Sequence, residues 1–321
     1  MDGTFQGGAF PDTQEALLED AIAGLSQTQK ALSPKWLYDA RGSQLFEQIT
    51  TLPEYYPTRV ETSILRCYSN ALAGLVPKGG ALVELGSGAS VKTRILLDKG
   101  QHLGAYVPLD ISEQFLQQTA EGLRDMYPTI AIAPIVADFI GHVEFPSALR
   151  SVPKVGFFPG STIGNLEPPL ARDLLARAAQ WPNVTGFILG VDLVKEEKVL
   201  VDAYDDAQGI TAEFIKNSLG RLNKDLDADF NLDHFGYRAE WNSALAQIDM
   251  SLVSLCDQAA HLCGHRIKFL KNETIHVSAS RKYTAESLKS LVGPTGWKID
   301  KTFTDPAERF AVVVLERAAP R

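Results

Sequence analysis

The 321-residue sequence predicts an α/β fold: a parallel sheet covered by helices on both faces, interrupted by an insertion of different character. Three observations predict it. Short apolar runs bounded by turn residues recur at 81–85, 105–110, 130–136, 155–159 and 186–191, with helical stretches between most of them. These runs are apolar throughout rather than alternating, as strands buried on both faces require. Beyond residue 193 the rhythm changes to charge-rich helical patterns and then to alternating strands.

Taken in order, residues 14–25 place Ala16, Leu17, Ala21, Ile22 and Leu25 at helical spacing. The segments PKWLYDARGSQLFEQIT and LPEYYPTR are aromatic-rich and broken by prolines, and a helix is expected over 61–75. Within the sheet region, 113–126 and 169–179 read as helices. The stretch 195–270 reads as largely helical, with helices at 199–207 and 212–226, while 248–255 (IDMSLVSL) alternates as an antiparallel strand does. Residues 273–280 (ETIHVSAS) suit another strand, 285–292 a helix, and 298–304 with 309–316 a closing hairpin. No internal repeat, low-complexity tract or long linker interrupts the chain. The expected division is 1–60, 61–194, 195–284 and 285–321. The first and third pieces together cap the carboxyl ends of the strands, where open α/β sheets bind ligands.

Composition excludes several classes. With 45% hydrophobic residues there is ample material for a large core. A net charge of −8 argues against nucleic acid as partner and gives no support to adhesion on anionic membranes. No apolar run reaches the roughly 18–20 residues of a membrane span. The opening MDGTFQGGAF lacks the basic and apolar regions of a signal peptide, so a cytoplasmic protein is expected. Cys67, Cys256 and Cys263 are odd in number and form no CxxC pair, which suggests free, mostly buried thiols. The six histidines are scattered and no metal site is expected. The sequence identifies no exposed apolar stripe, so the oligomeric state stays open, a monomer included.

The first apolar run leads into ALVELGSGASVKT (81–93), where Gly86 and Gly88 give the backbone freedom to approach a ligand closely. A dinucleotide fingerprint needs a third glycine, and Val91 stands there instead; a phosphate loop needs Gly-Lys-Ser/Thr, which SVKTR does not supply. What remains is acid-x-Gly-x-Gly, with Glu84 as the acid. Asp110 in VPLDIS ends the second run, where an acid can accept from both ribose hydroxyls. Asp138 in VADF ends the third and can accept from an adenine amine, with the Phe139 ring beside it. A GxG alone is a weak signal, and an acid at a strand end is often only a helix cap. Three acids after three successive strands are more specific. The pattern resembles class I S-adenosylmethionine-dependent methyltransferases.

Further stretches extend the resemblance: SPKWLYDARGSQLFEQIT with LPEYYPTR, FFPGSTIGNLEP, GVDLVKE and AYDDAQGITAEF. Together with VELGSGAS they closely resemble the histidine Nα-methyltransferase family of ergothioneine biosynthesis, over nearly the whole chain. The resemblance implies a Rossmann-like methyltransferase domain and a second, substrate-binding domain made of the N-terminal segment and the insertion. It implies S-adenosyl-L-methionine as cofactor, S-adenosyl-L-homocysteine as product, a free amino acid as substrate, and trimethylation of its α-amine to a betaine. Ser87 and Lys92 join Glu84, Gly86, Gly88, Asp110, Asp138 and Phe139 on the cofactor. Asn165 in STIGN and Tyr204 in DAYDD fall on the substrate carboxylate. Tyr38, Phe46 and Tyr55 form an aromatic wall around the amine, which favours the growing cation by cation–π attraction. Gly160 and Thr162 line the floor between the two ligands. Outside such a family, Tyr-Tyr-Pro is as often plain packing, and Asn165 a turn residue.

The nucleophile is the neutral amine, although an α-ammonium group dominates at neutral pH. No strong base is evident; orientation and desolvation supply much of the rate, and Tyr38 acting through a water is one route for the proton.

One stretch departs from the family. Where its histidine-using members carry a glutamate that grips the imidazole, HVSASRKY places Ser278, with Ser280 and Lys282 at the flanking positions. Met250 matches the methionine beside the side chain. An alignment shifted by two places His276 there instead. Histidine, indole-like, phenol-like and modified aromatic amino acids therefore all stay open as substrates. A peptide amine, another small amine, and a non-catalytic cofactor-binding module are the alternatives outside this class. A carboxylate clamp of Asn165 and Tyr204 argues against the peptide.

Overall fold

The computed structural model describes residues 14–318. The chain divides into two compact units. One comprises Arg59–Val194 with residues 282–318; the other comprises the described residues up to Thr58 with Lys195–Arg281.

The first unit is built on a mixed sheet. Its strands lie in the order Trp297–Thr304, Phe310–Arg317, Val184–Asp192, Lys154–Phe158, Ala81–Leu85, Ala105–Asp110 and Ala131–Ile132. The strands from Val184–Asp192 to Ala131–Ile132 run parallel, and the closing hairpin is antiparallel. Ala81–Leu85 is central: the chain goes to Ala105–Asp110 on one side and later to Lys154–Phe158 on the other. That reversal opens a crevice at the carboxyl end of Ala81–Leu85. Every residue of Ala81–Leu85 and Lys154–Phe158 is buried. Val83, Val107, Phe158, Leu189 and Val313 form the sheet side of a core closed by Leu174, Leu175 and Leu288 from helices. These helices start where their sequences provide for it. Pro168 opens Pro168–Ala178, where its missing N–H costs nothing, and Thr284 with Ser287 forms a capping box for Ala285–Val292.

Two elements differ from expectation here. The strand expected over 130–136 is split into Ala131–Ile132 and Ile135–Val136, because Pro134 between them has no N–H to give to a ladder. The helix expected over 61–75 starts earlier, at Tyr56, and breaks at Tyr68 into Tyr56–Cys67 and Ser69–Ala73.

The second unit holds a sheet in the order Lys30–Ala31, Thr274–Arg281, Gln247–Ser254 and Phe235–Asn242, and a separate hairpin of Gln258–Leu262 with His265–Phe269. The helix Ile210–Leu226 packs against Ala40–Thr51 and against the strands. The largely helical reading of 195–270 is thus corrected: helix ends at Leu226 and strands follow. In Phe235–Asn242, Phe235 and Ala239 are buried while Arg238 and Glu240 are exposed, the period of a half-buried strand. The helix expected over 199–207 is only Glu197–Asp202.

The three thiols are unpaired, but Cys67 and Cys263 are exposed and Cys256 half-buried, so the expected burial is also corrected. Among the described residues no helix is long and apolar enough to cross a membrane.

Candidate active site

In the first unit the glycine loop follows Ala81–Leu85 directly. Gly86 and Gly88 have φ of +63° and +49°, a conformation glycine adopts without strain. A side chain at Gly86 would stand 3.4 Å from the Phe139 ring, so that ring covers the loop; at Gly88 the space is open. Ser87 is buried, and its Oγ has no hydrogen-bond partner in the protein. Asp110, at the end of its strand, accepts from the Gly88 amide at 2.9 Å and from the Ser112 amide at 3.0 Å. It therefore ties the loop to the neighbouring strand while keeping lone pairs on both oxygens. Asp138 accepts from the Ile140 amide at 2.9 Å, and Phe139 packs against Phe158 with ring centroids 5.2 Å apart.

Glu84 is 2% exposed and accepts a hydrogen bond from the Tyr106 hydroxyl, which also lies 2.8 Å from Ser90 Oγ. Burial pushes the Glu84 carboxyl up to about 8, only partly opposed by the Tyr106 hydrogen bond and the Lys92 charge. Burial likewise drives the Tyr106 phenol well above its ordinary value. At neutral pH the carboxyl mostly holds its proton.

Lys92 forms a 2.5 Å ion pair with Glu61, a fully buried acid that sequence reasoning missed. Glu61 also accepts from the Gly160 amide. Gly160 (φ +81°) leads into Thr162, whose Oγ1 donates to Pro159 O at 3.0 Å, and the short turn Thr162–Asn165 presents Asn165 half-buried. Next to it, Ser161 Oγ accepts from the Asp192 amide at 2.9 Å. Asp192 pairs with Lys282 at 2.8 Å, both fully buried, so Lys282 is a structural tie where the insertion begins and ends.

In the second unit the aromatic residues are in contact. Tyr38 meets Phe46 at 5.7 Å between centroids, Phe46 meets Tyr55 at 6.5 Å, and Tyr55 meets Tyr204 at 5.8 Å. Phe214, also missed, touches Tyr38 at 5.5 Å and Phe46 at 5.9 Å. Asp39 fixes this arrangement: it caps Ala40–Thr51 through the Gly42 amide at 2.7 Å and accepts from Asn217 Nδ2 at 2.8 Å. The helix bearing Phe46 is thereby joined to the helix bearing Phe214 and Asn217.

Tyr204 is held at both ends. Its carbonyl accepts from Tyr237 Oη at 2.7 Å, and its hydroxyl lies 2.8 Å from Ser280 Oγ. Two residues on, Asp206 caps Ile210–Leu226 by accepting from the Ile210 and Thr211 amides at 2.9 and 2.8 Å.

The strand register decides the departure noted in the sequence. His276 pairs with Ser251, but Ser278 pairs with Met250, so a bulge lies between them. The extra residue puts His276 on the opposite face from Met250 and leaves Ser278 on the same one. In this register the shifted alignment would put its histidine on the face away from Met250. Two rows cross that face: Ala239, Met250 and Ser278, then Trp241, Ile248 and Ser280. Neither row contains an acid.

Comparison with known proteins gives the family. The histidine N-alpha-methyltransferase of Mycolicibacterium smegmatis is 40% identical over 96% of this chain and 97% of its own length. The protein of the same name from Mycobacterium tuberculosis is 40% identical, over 92% of this chain and 94% of its own length. The 4-dimethylallyltryptophan N-methyltransferase of Trichophyton verrucosum is 25% identical over 91% and 90%. Residues 17–317 match the family described as histidine-specific methyltransferase, SAM-dependent. With the fold and these residues in place, the chain belongs to the histidine-specific, S-adenosylmethionine-dependent methyltransferases.

Proposed function

We propose that this enzyme trimethylates the α-amine of a free amino acid whose side chain is aromatic and uncharged. The observation that carries the choice of side chain is the acid-free pair of rows around Ser278 and Met250. A buried imidazolium would need an anionic partner, and leaving it without one is costly; neutral imidazole, the main form above about pH 6.5, escapes that cost but has no charge-assisted bond here. A serine hydroxyl offers one short hydrogen bond, which suits an indole N–H or a phenol. The relative named for 4-dimethylallyltryptophan supports an indole on this scaffold. Histidine is the second reading, favoured by the 40% identity to histidine N-alpha-methyltransferases over almost the whole chain.

The first unit suits the cofactor. The buried, partnerless Ser87 Oγ is a group that a bound ligand would satisfy. Asp110 takes the ribose hydroxyls with its remaining lone pairs, Asp138 takes the adenine amine, and Phe139 lies against the base. Lys92 meets the cofactor carboxylate; Gly86 and Gly88 admit its chain, and Glu84 faces its cationic end. The cofactor, when bound, supplies an electrophilic methyl on a sulfonium.

Tyr204 and Ser280, paired at 2.8 Å, bind the substrate carboxylate together with Asn165. Hydroxyls and an amide hold that anion without placing a cation beside the amine. Tyr38, Phe46 and Tyr55 surround the amine, and Gly160 and Thr162 line the floor. Before each transfer the amine gives up a proton, with Tyr38 and a water as its route. Those rings would hold the neutral nitrogen with its lone pair directed at the methyl that a bound cofactor would supply, S-adenosyl-L-homocysteine being the product. The ring faces favour the quaternary product over its neutral precursors. We place this chemistry in the cytoplasm, on a small molecule.

A panel of free amino acids with S-adenosylmethionine, read by product mass, tests the proposal. Tryptophan, tyrosine or phenylalanine should give a 42 Da gain, on the order of three methyl groups, with kcat/KM about tenfold above histidine. A preference for histidine of that size would overturn the side-chain assignment, and no turnover of any amino acid would overturn the whole reading.

A further inference from the structure

Glu61 joins three segments that are far apart in sequence. It stands on Tyr56–Cys67, ahead of the sheet; Lys92 lies in the helix opened by the glycine loop, and Gly160 follows Lys154–Phe158. Its carboxylate is fully buried, pairs with Lys92 Nζ at 2.5 Å, and takes the Gly160 amide at 2.9 Å to each oxygen. A Cβ at Gly190 would stand 2.1 Å from Glu61 Oε1, so the fold keeps a glycine there to make room for the acid. Lys92 keeps 19% of its side chain exposed and has N–H donors beyond the one used by Glu61.

The charges give this arrangement a consequence. S-adenosylmethionine carries a sulfonium, an ammonium and a carboxylate, for a net charge of about +1, whereas S-adenosylhomocysteine is net neutral by the ordinary ionisation of these groups. A lysine able to hold the carboxylate also repels the sulfonium. With Glu61 beside it, the pair keeps a directed N–H donor but has no net charge.

We propose that Glu61 is a positioning residue that cancels the Lys92 charge and so lets the site favour the cationic methyl donor over its neutral product. The proposal rests on Lys92 and the glycine loop holding the cofactor. Glu61 does not touch the reacting atoms; it acts through Lys92 and through the Gly160 amide.

Glu61→Gln tests it, because the amide keeps the shape and can still accept from Gly160. Calorimetric titration of the full chain with each ligand separately should show S-adenosylmethionine weakened about tenfold and S-adenosylhomocysteine less than about threefold, a selective loss of about 0.7 kcal/mol or more. Adding Lys92→Met to Glu61→Gln should bring the ratio of the two affinities back toward that of the parent, since both charges are then gone. Equal losses for the two ligands would reduce Glu61 to a structural acid and overturn the proposal, as would an unchanged ratio. Failure of the parent protein to bind either ligand would instead overturn the cofactor site itself. A parent that binds both, with Lys92→Met alone leaving both affinities unchanged, would remove Lys92 from that site.

Discussion

Glu84→Gln tests the electrostatics of the glycine loop most sharply. In the folded protein burial holds the Glu84 carboxyl at about 8, against an ordinary 4.5. Below 4.5 the group is protonated in both folded and unfolded chains, so it contributes no pH dependence. Between 4.5 and about 8 the unfolded chain loses this proton and the folded one keeps it. The folded state then binds more protons, and stability falls as pH rises through that window. Above about 8 both forms are ionised and the penalty stays constant. At about 1.4 kcal/mol per pH unit, raising the pH from about 5 to about 7.5 costs the native protein roughly 3 kcal/mol through this one group. Glutamine keeps the oxygen that accepts from Tyr106 but has nothing to titrate. Urea unfolding of both proteins at the two pH values isolates the effect, because other titrating groups cancel in the difference. The variant should gain stability relative to the parent by a few kcal/mol between the two conditions. Parallel pH profiles, within about 0.5 kcal/mol, would refute the burial of an ionisable Glu84 beneath the loop.

Other outcomes follow from the same geometry. Ser278→Glu should raise kcat/KM for histidine by about tenfold in product-mass kinetics, through a charge-assisted hydrogen bond worth about 1.5–3 kcal/mol before desolvation; an unchanged preference would remove Ser278 from the side-chain pocket. Asn165→Ala should weaken amino-acid binding about tenfold while S-adenosylhomocysteine affinity stays within about twofold by calorimetry; equal loss of both would contradict its carboxylate role. Asp39→Ala should lower stability by about 2 kcal/mol in urea unfolding, as a helix cap and its bond to Asn217 are lost together; a change below about 0.5 kcal/mol would deny that anchor.

The sheet of the first unit was legible because its strands are short apolar runs set between helices, and buried strands need little else. Asp110 and Asp138 were placed by the same logic, as acids at strand ends. The insertion was harder. Phe235–Asn242 carries Arg238 and Glu240 on its open face, which reads as a charged helix until its partner strand is known. The hairpin Gln258–Leu262 with His265–Phe269 turns through Cys263 and Gly264, both at positive φ (+47° and +83°), and Cys-Gly lacks the Asn-Gly or Asp-Gly signal of such turns. Glu61 left no trace in the sequence, since its partners Lys92 and Gly160 lie 31 and 99 residues away. The sequence placed Ser278 in the pocket with His276 as the alternative, and a bulge between them is a property of two strands together that one strand's sequence does not show. The register between Thr274–Arg281 and Gln247–Ser254 puts Ser278, and not His276, on the face that carries Met250.

The central claim is that an acid-free pocket face selects an uncharged aromatic amino acid for Nα-methylation. A competition reaction tests it most directly, with equal concentrations of tryptophan, tyrosine and histidine, limiting S-adenosylmethionine and mass detection of every methylated product. The predicted result is that trimethylated tryptophan or tyrosine dominates, with histidine products about tenfold less abundant. Predominance of trimethylhistidine would contradict the claim and assign Ser278 no part in the choice of substrate.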